Sequence, residues 1–232
     1  MDPLLARLED VRDRIARAAN RVGRDTSRIR LIAVSKTFDA THVRAAARAG
    51  QIDFGENKVQ EAQRKHAQTA DLPLRWHLIG HLQSNKAAKA AALFDVIHSI
   101  DDPSLVHKID EAAVAAGRTL ELLVQVDLAG EPTKHGAREA ELPGIFEAGR
   151  TCRSVRLSGL MMLPPATADA EGARPWFREL IRVRDRLQAA GVEPSRLAEL
   201  SMGMSHDYEI AIEEGATIVR VGTAIFGNRM TL

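Results

Sequence analysis

The chain has 232 residues, 45% hydrophobic and 27% charged, with 32 lysines plus arginines against 31 aspartates plus glutamates. That composition excludes wholesale disorder, and a net charge of +1 gives none of the basic excess of a protein built to neutralise nucleic-acid phosphates. A single cysteine, Cys152, excludes an internal disulfide and a cysteine-based zinc site, and no unbroken apolar stretch is long enough to cross a bilayer.

The opening Met1-Asp2-Pro3-Leu4-Leu5-Ala6-Arg7 lacks the basic segment and apolar core of a signal peptide, so the expected setting is reduced, soluble and cytoplasmic. Asp2 is a candidate helix cap and Pro3 suits a first turn. Leu4, Leu8, Val11, Ile15, Ala18 and Val22 then recur at helical spacing until Gly23, which predicts a helix over about 2–22. Beyond it the chain alternates. β-rich runs fall at Arg30–Ser35, Ile52–Gly55, Arg75–Ile79, Val96–Ile100, Leu120–Asp127, Val155–Leu163, Leu197–Ser201 and Thr217–Val221.

Four intervening helices have recognisable ends. Thr41 caps a run that stops at Gly50, and Asp102-Pro103 opens one that stops at Gly117. A run through Trp176, Leu180, Val183 and Leu187 stops at Gly191, and Ser205 caps one that stops at Gly215. Strands alternating with helices imply a parallel sheet. Eight such units after one extra helix predict an α/β fold, a (β/α)8 TIM barrel over about 30–227 with an N-terminal helix, the whole of 1–232 forming a single domain. No linker, low-complexity tract or short repeat marks a second one.

In such barrels ligands bind where strands end and helices begin. Those ends carry Ser35-Lys36-Thr37, Gly55-Glu56-Asn57, the run Gly80 to Lys86, Ser99-Ile100-Asp101, Asp127, Met161-Met162, the run Ser201 to Ser205, and Gly222-Thr223. Polar and glycine-rich segments thus gather on one face. Within Ile32-Ala33-Val34-Ser35-Lys36 the alternation puts Ile32, Val34 and Lys36 on one side, so an inward Ile32 and Val34 aim Lys36 into the mouth. Partial desolvation there depresses an amine from roughly 10.4 toward neutrality, and a neutral amine forms Schiff bases with carbonyl compounds. Taken alone, the run reads more readily as a solvated lysine at a strand end.

The run Val219-Arg220-Val221-Gly222-Thr223-Ala224-Ile225-Phe226-Gly227 places glycine and a hydroxyl directly after a strand, presenting backbone N–H groups to an anion where barrels commonly hold phosphate. Glycine and threonine also serve plain turns. A phosphate cradle beside an inward lysine on an adjacent strand is far more specific than either feature. Other candidates are weaker. His77 and His81 have helical metal-ligand spacing, but Gly80 and the strand pattern break it, so no metal is expected. Cys152, in a helix-to-strand connection, reads as a small buried residue, and the Met161-Met162 pair as barrel lining. No Gly-x-Ser-x-Gly elbow is present, against an α/β-hydrolase.

The segments Ala33-Val34-Ser35-Lys36-Thr37, Phe54-Gly55-Glu56-Asn57-Lys58-Val59-Gln60-Glu61, the run Trp76 to Lys86, Leu200-Ser201-Met202-Gly203-Met204-Ser205 and the closing Val219 to Gly227 together resemble the pyridoxal phosphate homeostasis protein family. The resemblance runs from about Arg30 to Gly227. It implies a barrel like the N-terminal domain of alanine racemase, with pyridoxal 5'-phosphate (PLP) as an aldimine on Lys36. It further implies Ser201, Ser205, Gly222 and Thr223 around the phosphate, Arg220 near the phosphate or ring, Asn57 near the ring, and Met204 in the cofactor-binding set. The role implied is binding, storage and delivery of PLP without substantial catalysis, with apo forms of PLP-dependent enzymes as transient partners. With no long apolar surface stripe or second domain to demand a partner, a monomer is expected. Two positions depart from the family pattern: Asp127 stands where asparagine is usual, adding a negative charge to the mouth, and Thr133 replaces a serine.

Two enzymatic readings compete. A PLP-dependent racemase or decarboxylase on this barrel needs a second domain and an acid or base on the other face of the cofactor. The barrel is expected to end near Gly227, and the one tyrosine, Tyr208, falls in a helix. A Schiff-base aldolase acting on a phosphosugar shares the lysine and the phosphate site, and differs in being colourless.

Overall fold

The Asp2 carboxylate accepts a hydrogen bond from the Leu4 amide at 2.9 Å, Pro3 takes the first turn, and α1 follows over Pro3–Arg21. The structure, a computed structural model, describes residues 2–130 and 135–228. After α1 come β1 (Arg30–Val34), α2 (Ala40–Arg48), β2 (Asp53–Glu56), α3 (Val59–Gln68), β3 (Arg75–Leu78), α4 (Ala87–Leu93) and β4 (Val96–Ile100). Then follow α5 (Pro103–Ala116), β5 (Leu120–Gln125), α6 (Leu142–Ala148), β6 (Val155–Met161), α7 (Arg174–Ala189), β7 (Glu199–Met204), α8 (Tyr208–Glu213), β8 (Ile218–Val221) and the short α9 (Thr223–Phe226).

The eight strands are parallel and close into a barrel in chain order, β8 pairing β1 from Arg30 opposite Ile218 to Ala33 opposite Val221. The expected (β/α)8 barrel with an N-terminal helix is therefore present. Alternation along the strands sorts the apolar residues into two layers. Ile32, Val34, Val96, Leu123, Met161 and Ile218 fill the interior, and a larger shell packs strands against helices. Met162 belongs to the outer shell, so only Met161 of that pair lines the barrel.

Helix α1 buries Leu4, Leu8, Val11 and Ile15, each worth roughly 1.5–3 kcal/mol of apolar burial. It packs on α2, α8 and α9, and arginines on the helix and in the turn after it fasten α8 and α9. Arg7 donates to the Ile225 carbonyl at 2.7 Å, Arg24 to the Ile212 carbonyl at 2.6 Å, and Arg14 to Glu209 at 2.8 Å. The extra helix thus braces the two elements that follow β7 and β8.

Strands β1, β2, β3, β5, β6 and β8 differ from the expected runs by one or two residues at an end, and three further boundaries shift for identifiable reasons. Helix α2 is capped by Asp39, whose carboxylate accepts from the Thr41 and His42 amides, leaving Thr41 inside the first turn. Strand β7 starts at Glu199, because Pro194–Arg196 close a 3-10 turn that Leu197 terminates. Helix α8 starts at Tyr208 after Asp207, so Ser205 lies ahead of it and is no cap.

Candidate functional site

A cavity of about 360 Å³ opens at the carboxyl ends of the strands, within the range typical of small-molecule sites, roughly 300–1,000 Å³. Lys36, Asn57, Met204, Ser205, Arg220, Gly222 and Thr223 all line it, with Val34, Ile79 and Leu163 as apolar wall. Seven of the eight residues expected to hold the cofactor thus converge. The eighth, Ser201, is fully buried below the cavity and faces Arg220.

Lys36 reaches the mouth because Ile32 and Val34 point inward on β1. Its neighbours are held from behind. The Ser35 hydroxyl donates to Glu56 Oε1 at 2.6 Å. Lys65 Nζ donates to the Ser35 carbonyl at 2.7 Å, to Glu56 at 2.6 Å and to Glu61 at 2.8 Å. Glu61 also accepts the Thr37 amide at 2.6 Å, and Thr37 sits at φ 72°, a left-handed conformation costly for a β-branched residue. This cluster, buried between the strands and α3, clamps the backbone on both sides of Lys36. Burial drives the Glu56 carboxyl above the usual range, against the opposing pull of Lys65 and Ser35.

Arg220 is almost wholly buried, and its guanidinium donates to neutral oxygens. Nη1 donates to Ser201 O at 2.7 Å and Oγ at 2.6 Å, and Nη2 to the Met162 carbonyl at 2.8 Å. Burial draws its pKa down to about 10. Behind it runs a chain through the barrel interior. Ser201 Oγ lies 3.0 Å from His98 Nδ1, His98 Nε2 lies 3.0 Å from His77 Nδ1, and His77 Nε2 lies 2.8 Å from Asp53 Oδ1. A guanidinium only donates, so the Ser201 hydroxyl must pass its proton toward His98. Both histidines then carry hydrogen on Nε2, and the chain ends on the Asp53 carboxylate. Burial depresses both imidazoles, His98 well below the ordinary value, which keeps them neutral as this polarity requires. Arg220 is thereby connected to an anion at the opposite end of the barrel.

At the β7–β8 side, the Gly222 and Ala224 amides both point at Ser205 Oγ, at 3.1 and 3.4 Å. An oxygen therefore already stands where these donors converge, as an oxyanion's oxygen would. Ser205 is held in place from both sides. Gly203 is at φ 92°, and a Cβ there would lie 2.5 Å from the Ala211 side chain, so β7 and α8 meet with no room between them. The Met204 amide donates to Asp207 at 2.6 Å. Asp127 does not line the cavity; its carboxylate accepts the Ala129 and Gly130 amides in its own turn. Thr133 lies outside the described residues.

The sequence reading did not single out Asp53, Lys65 or His98, left Glu56 and Glu61 as motif residues without a role, and weighed His77 only as a metal ligand. Alternation with Ile79 and with Val96 marks His77 and His98 as inward-facing, and that signal was available. His81, weighed against His77 as a metal pair, points elsewhere: it lies at the rim beside Asp101 and His135. Cys152 is half-buried in the connection after α6, and burial lifts its thiol to about 11.

Residues 7–230 match the family described as alanine racemase, N-terminal domain. A Pseudomonas aeruginosa protein named pyridoxal phosphate homeostasis protein is 42% identical, over 99% of this chain and 97% of the relative. One of the same name from Aquifex aeolicus is 41% identical over 96% and 97%. A solved structure of PipY from Synechococcus elongatus with PLP bound gives a TM-score of 0.83 at 40% identity, covering 97% of this chain and 100% of that one. Alanine racemase of Clostridium difficile shares the fold, with a TM-score of 0.74 at 17% identity, this chain matching 58% of its length. With identities near 40% along almost its whole length, this chain belongs to the pyridoxal phosphate homeostasis protein family, built on the alanine racemase N-terminal barrel.

Proposed function

We propose that this protein binds PLP in the mouth between β1 and β8, linked to Lys36 as a Schiff base, and stores and delivers it without turning over amino acids. The observation that carries this reading is the convergence of Lys36, Arg220 and the Ser205–Gly222–Ala224 donor cluster on one cavity. The residues fit the group. The Gly222 and Ala224 amides with the Ser205 hydroxyl suit a phosphate, Thr223 extends that cradle, and Asn57 and Met204 flank the space left for a ring beside Arg220. Ser201 acts by fixing Arg220 and not by touching phosphate. The cofactor supplies an aldehyde carbon, which an unprotonated amine attacks with loss of one water.

Turnover needs a positioned acid or base on the face opposite Lys36. Tyr208 is fully buried under the Arg14 guanidinium, and burial pushes its hydroxyl to about 12, which suits neither role. An open mouth admits water, a liability for catalysis and an advantage for loading and release. The described exposed apolar side chains, Val22, Ile52, Val114 and Met204, are scattered, which supports a monomer meeting apo-enzymes transiently. One thiol and no disulfide fit the reduced cytoplasm.

The test is an absorption spectrum with PLP, paired with activity assays. Wild type is expected to turn yellow, show negligible racemase or decarboxylase activity, and pass cofactor to an apo-enzyme. Lys36→Ala should lose the yellow band yet keep weaker, non-covalent binding. Steady amino-acid turnover that vanishes in Lys36→Ala would establish the enzyme reading instead.

A further inference from the structure

We infer that His81, Asp101 and His135 bind one divalent transition-metal ion of the zinc class at the barrel rim. The three follow β3, β4 and β5, on the side of the mouth away from β7 and β8. Among the described residues they are the group of histidine, cysteine and acidic side chains whose ligating atoms converge, all within 4.8 Å of one another.

Each ligand hangs from a fixed piece of backbone. His81 follows Gly80, which lies against β2: a Cβ on Gly80 would stand 2.4 Å from the Asn57 carbonyl. Asp101 follows Ile100, fully buried at the end of β4, and precedes Asp102, which caps α5 through the Ser104 amide at 2.7 Å. His135 is tied to β5 through its carbonyl, which accepts from the buried Gln125 side chain at 2.6 Å. The adjacent Ala137 amide donates to the Gln125 carbonyl at 2.8 Å.

The imidazoles stack with centroids 3.6 Å apart and planes 7° from parallel, and His81 Nδ1 lies 3.8 Å from Asp101 Oδ2. Zinc holds nitrogen and oxygen at about 2.0–2.2 Å, so tetrahedral donors sit roughly 3.3–3.5 Å apart. Closing onto an ion needs a contraction of an ångström or so, with the two rings splaying out of their stack. Both side chains have solvent on one side and room to turn. The charge balance points the same way. The Asp101 carboxylate is partly desolvated, and its neighbours are two imidazoles and a second carboxylate, Asp102. A divalent cation supplies the positive charge that the site lacks.

Two imidazoles with one carboxylate select zinc, nickel or cobalt over calcium and magnesium, which take oxygen ligands. Three protein ligands leave at least one coordination position for water or a small anion. His77 is no ligand, since Asp53 and His98 engage it inside the barrel. The inference does not depend on PLP binding, so either can fail alone.

The test is calorimetric titration of Zn²⁺ into the full-length, tag-free, EDTA-stripped chain, with Co²⁺ absorption reporting coordination. One saturable ion per chain is expected. Losing a residue that only hydrogen-bonds to a ligand already weakens metal sites by about 10–100-fold, so His81→Gln, Asp101→Asn and His135→Gln should each cost at least roughly ten-fold. His107→Gln, exposed on α5, should change nothing. Melting temperatures of the metal-free variants, matched to metal-free wild type, show that the fold is kept. Absence of saturable one-to-one binding in the micromolar range, or affinity unchanged in the His81→Gln/His135→Gln double variant, would overturn the inference.

Discussion

At position 222 a side chain has almost no room, for a Cβ there would sit 3.2 Å from the Val34 carbonyl and 3.4 Å from the Val34 Cβ. Gly222→Val therefore wedges β8 away from β1 beside Lys36 and turns the Gly222 amide off its target. One hydrogen bond to a charged group is worth about 1.5–3 kcal/mol, so equilibrium titration should show PLP affinity down about ten-fold or more. Unchanged affinity would place the cradle elsewhere. Lys36 was legible because two-residue alternation fixes a side chain's face. Depth along the barrel axis was not legible. Ser201, which the resemblance put beside the phosphate, is buried, is not among the residues lining the cavity and accepts from Arg220. Ser205 was expected to cap α8, yet its hydroxyl meets the amides after β8.

At the scale of elements, α3 holds the lysine turn through Lys65, which is the cation shared by Glu56 and Glu61. Lys65→Met leaves the fully buried Glu56 without its ion-pair partner, and breaking a buried pair this way costs about 3–5 kcal/mol. Chemical denaturation should show a loss of that order, and a loss below about 1 kcal/mol, typical of an exposed pair, would contradict the clamp. The helices legible in the sequence were those with strong end signals, such as Asp102 and Gly117 around α5. Helices α3, α4 and α6 run to ten residues at most and make no side-chain cap hydrogen bond, and packing against the barrel supplies their stability. The Glu56–Glu61–Lys65 cluster was hidden for a related reason. Glu61 and Lys65 meet as an i,i+4 pair on α3, but Glu56 and Ser35 join them only because β2 and α3 fold onto β1.

Across the whole molecule, the chain from Arg220 to Asp53 makes stability depend on pH. Burial keeps His77 and His98 neutral in the folded state, whereas the unfolded chain protonates them near pH 6.5. Their contribution is complete above about pH 6.5 and is lost as pH falls below it, at up to about 1.4 kcal/mol per pH unit for each histidine. Glu56, Asp101 and Asp207, whose carboxyls burial raises, act in the opposite sense and do so equally in a histidine variant. Denaturation at about pH 7 and about pH 5.5 should therefore show a smaller loss for His77→Gln/His98→Gln than for wild type, and equal losses would contradict neutral buried histidines. The barrel itself was legible because eight alternating runs admit few closures, while this interior chain appears only once β2, β3, β4, β7 and β8 share one axis. On the proposed reading these elements together present Lys36 to PLP. Borohydride reduction of the PLP-loaded protein, followed by peptide mapping, should find the cofactor fixed to the peptide containing Lys36. Cofactor fixed to Lys58, Lys65 or any other lysine, with Lys36 unmodified, would contradict that reading.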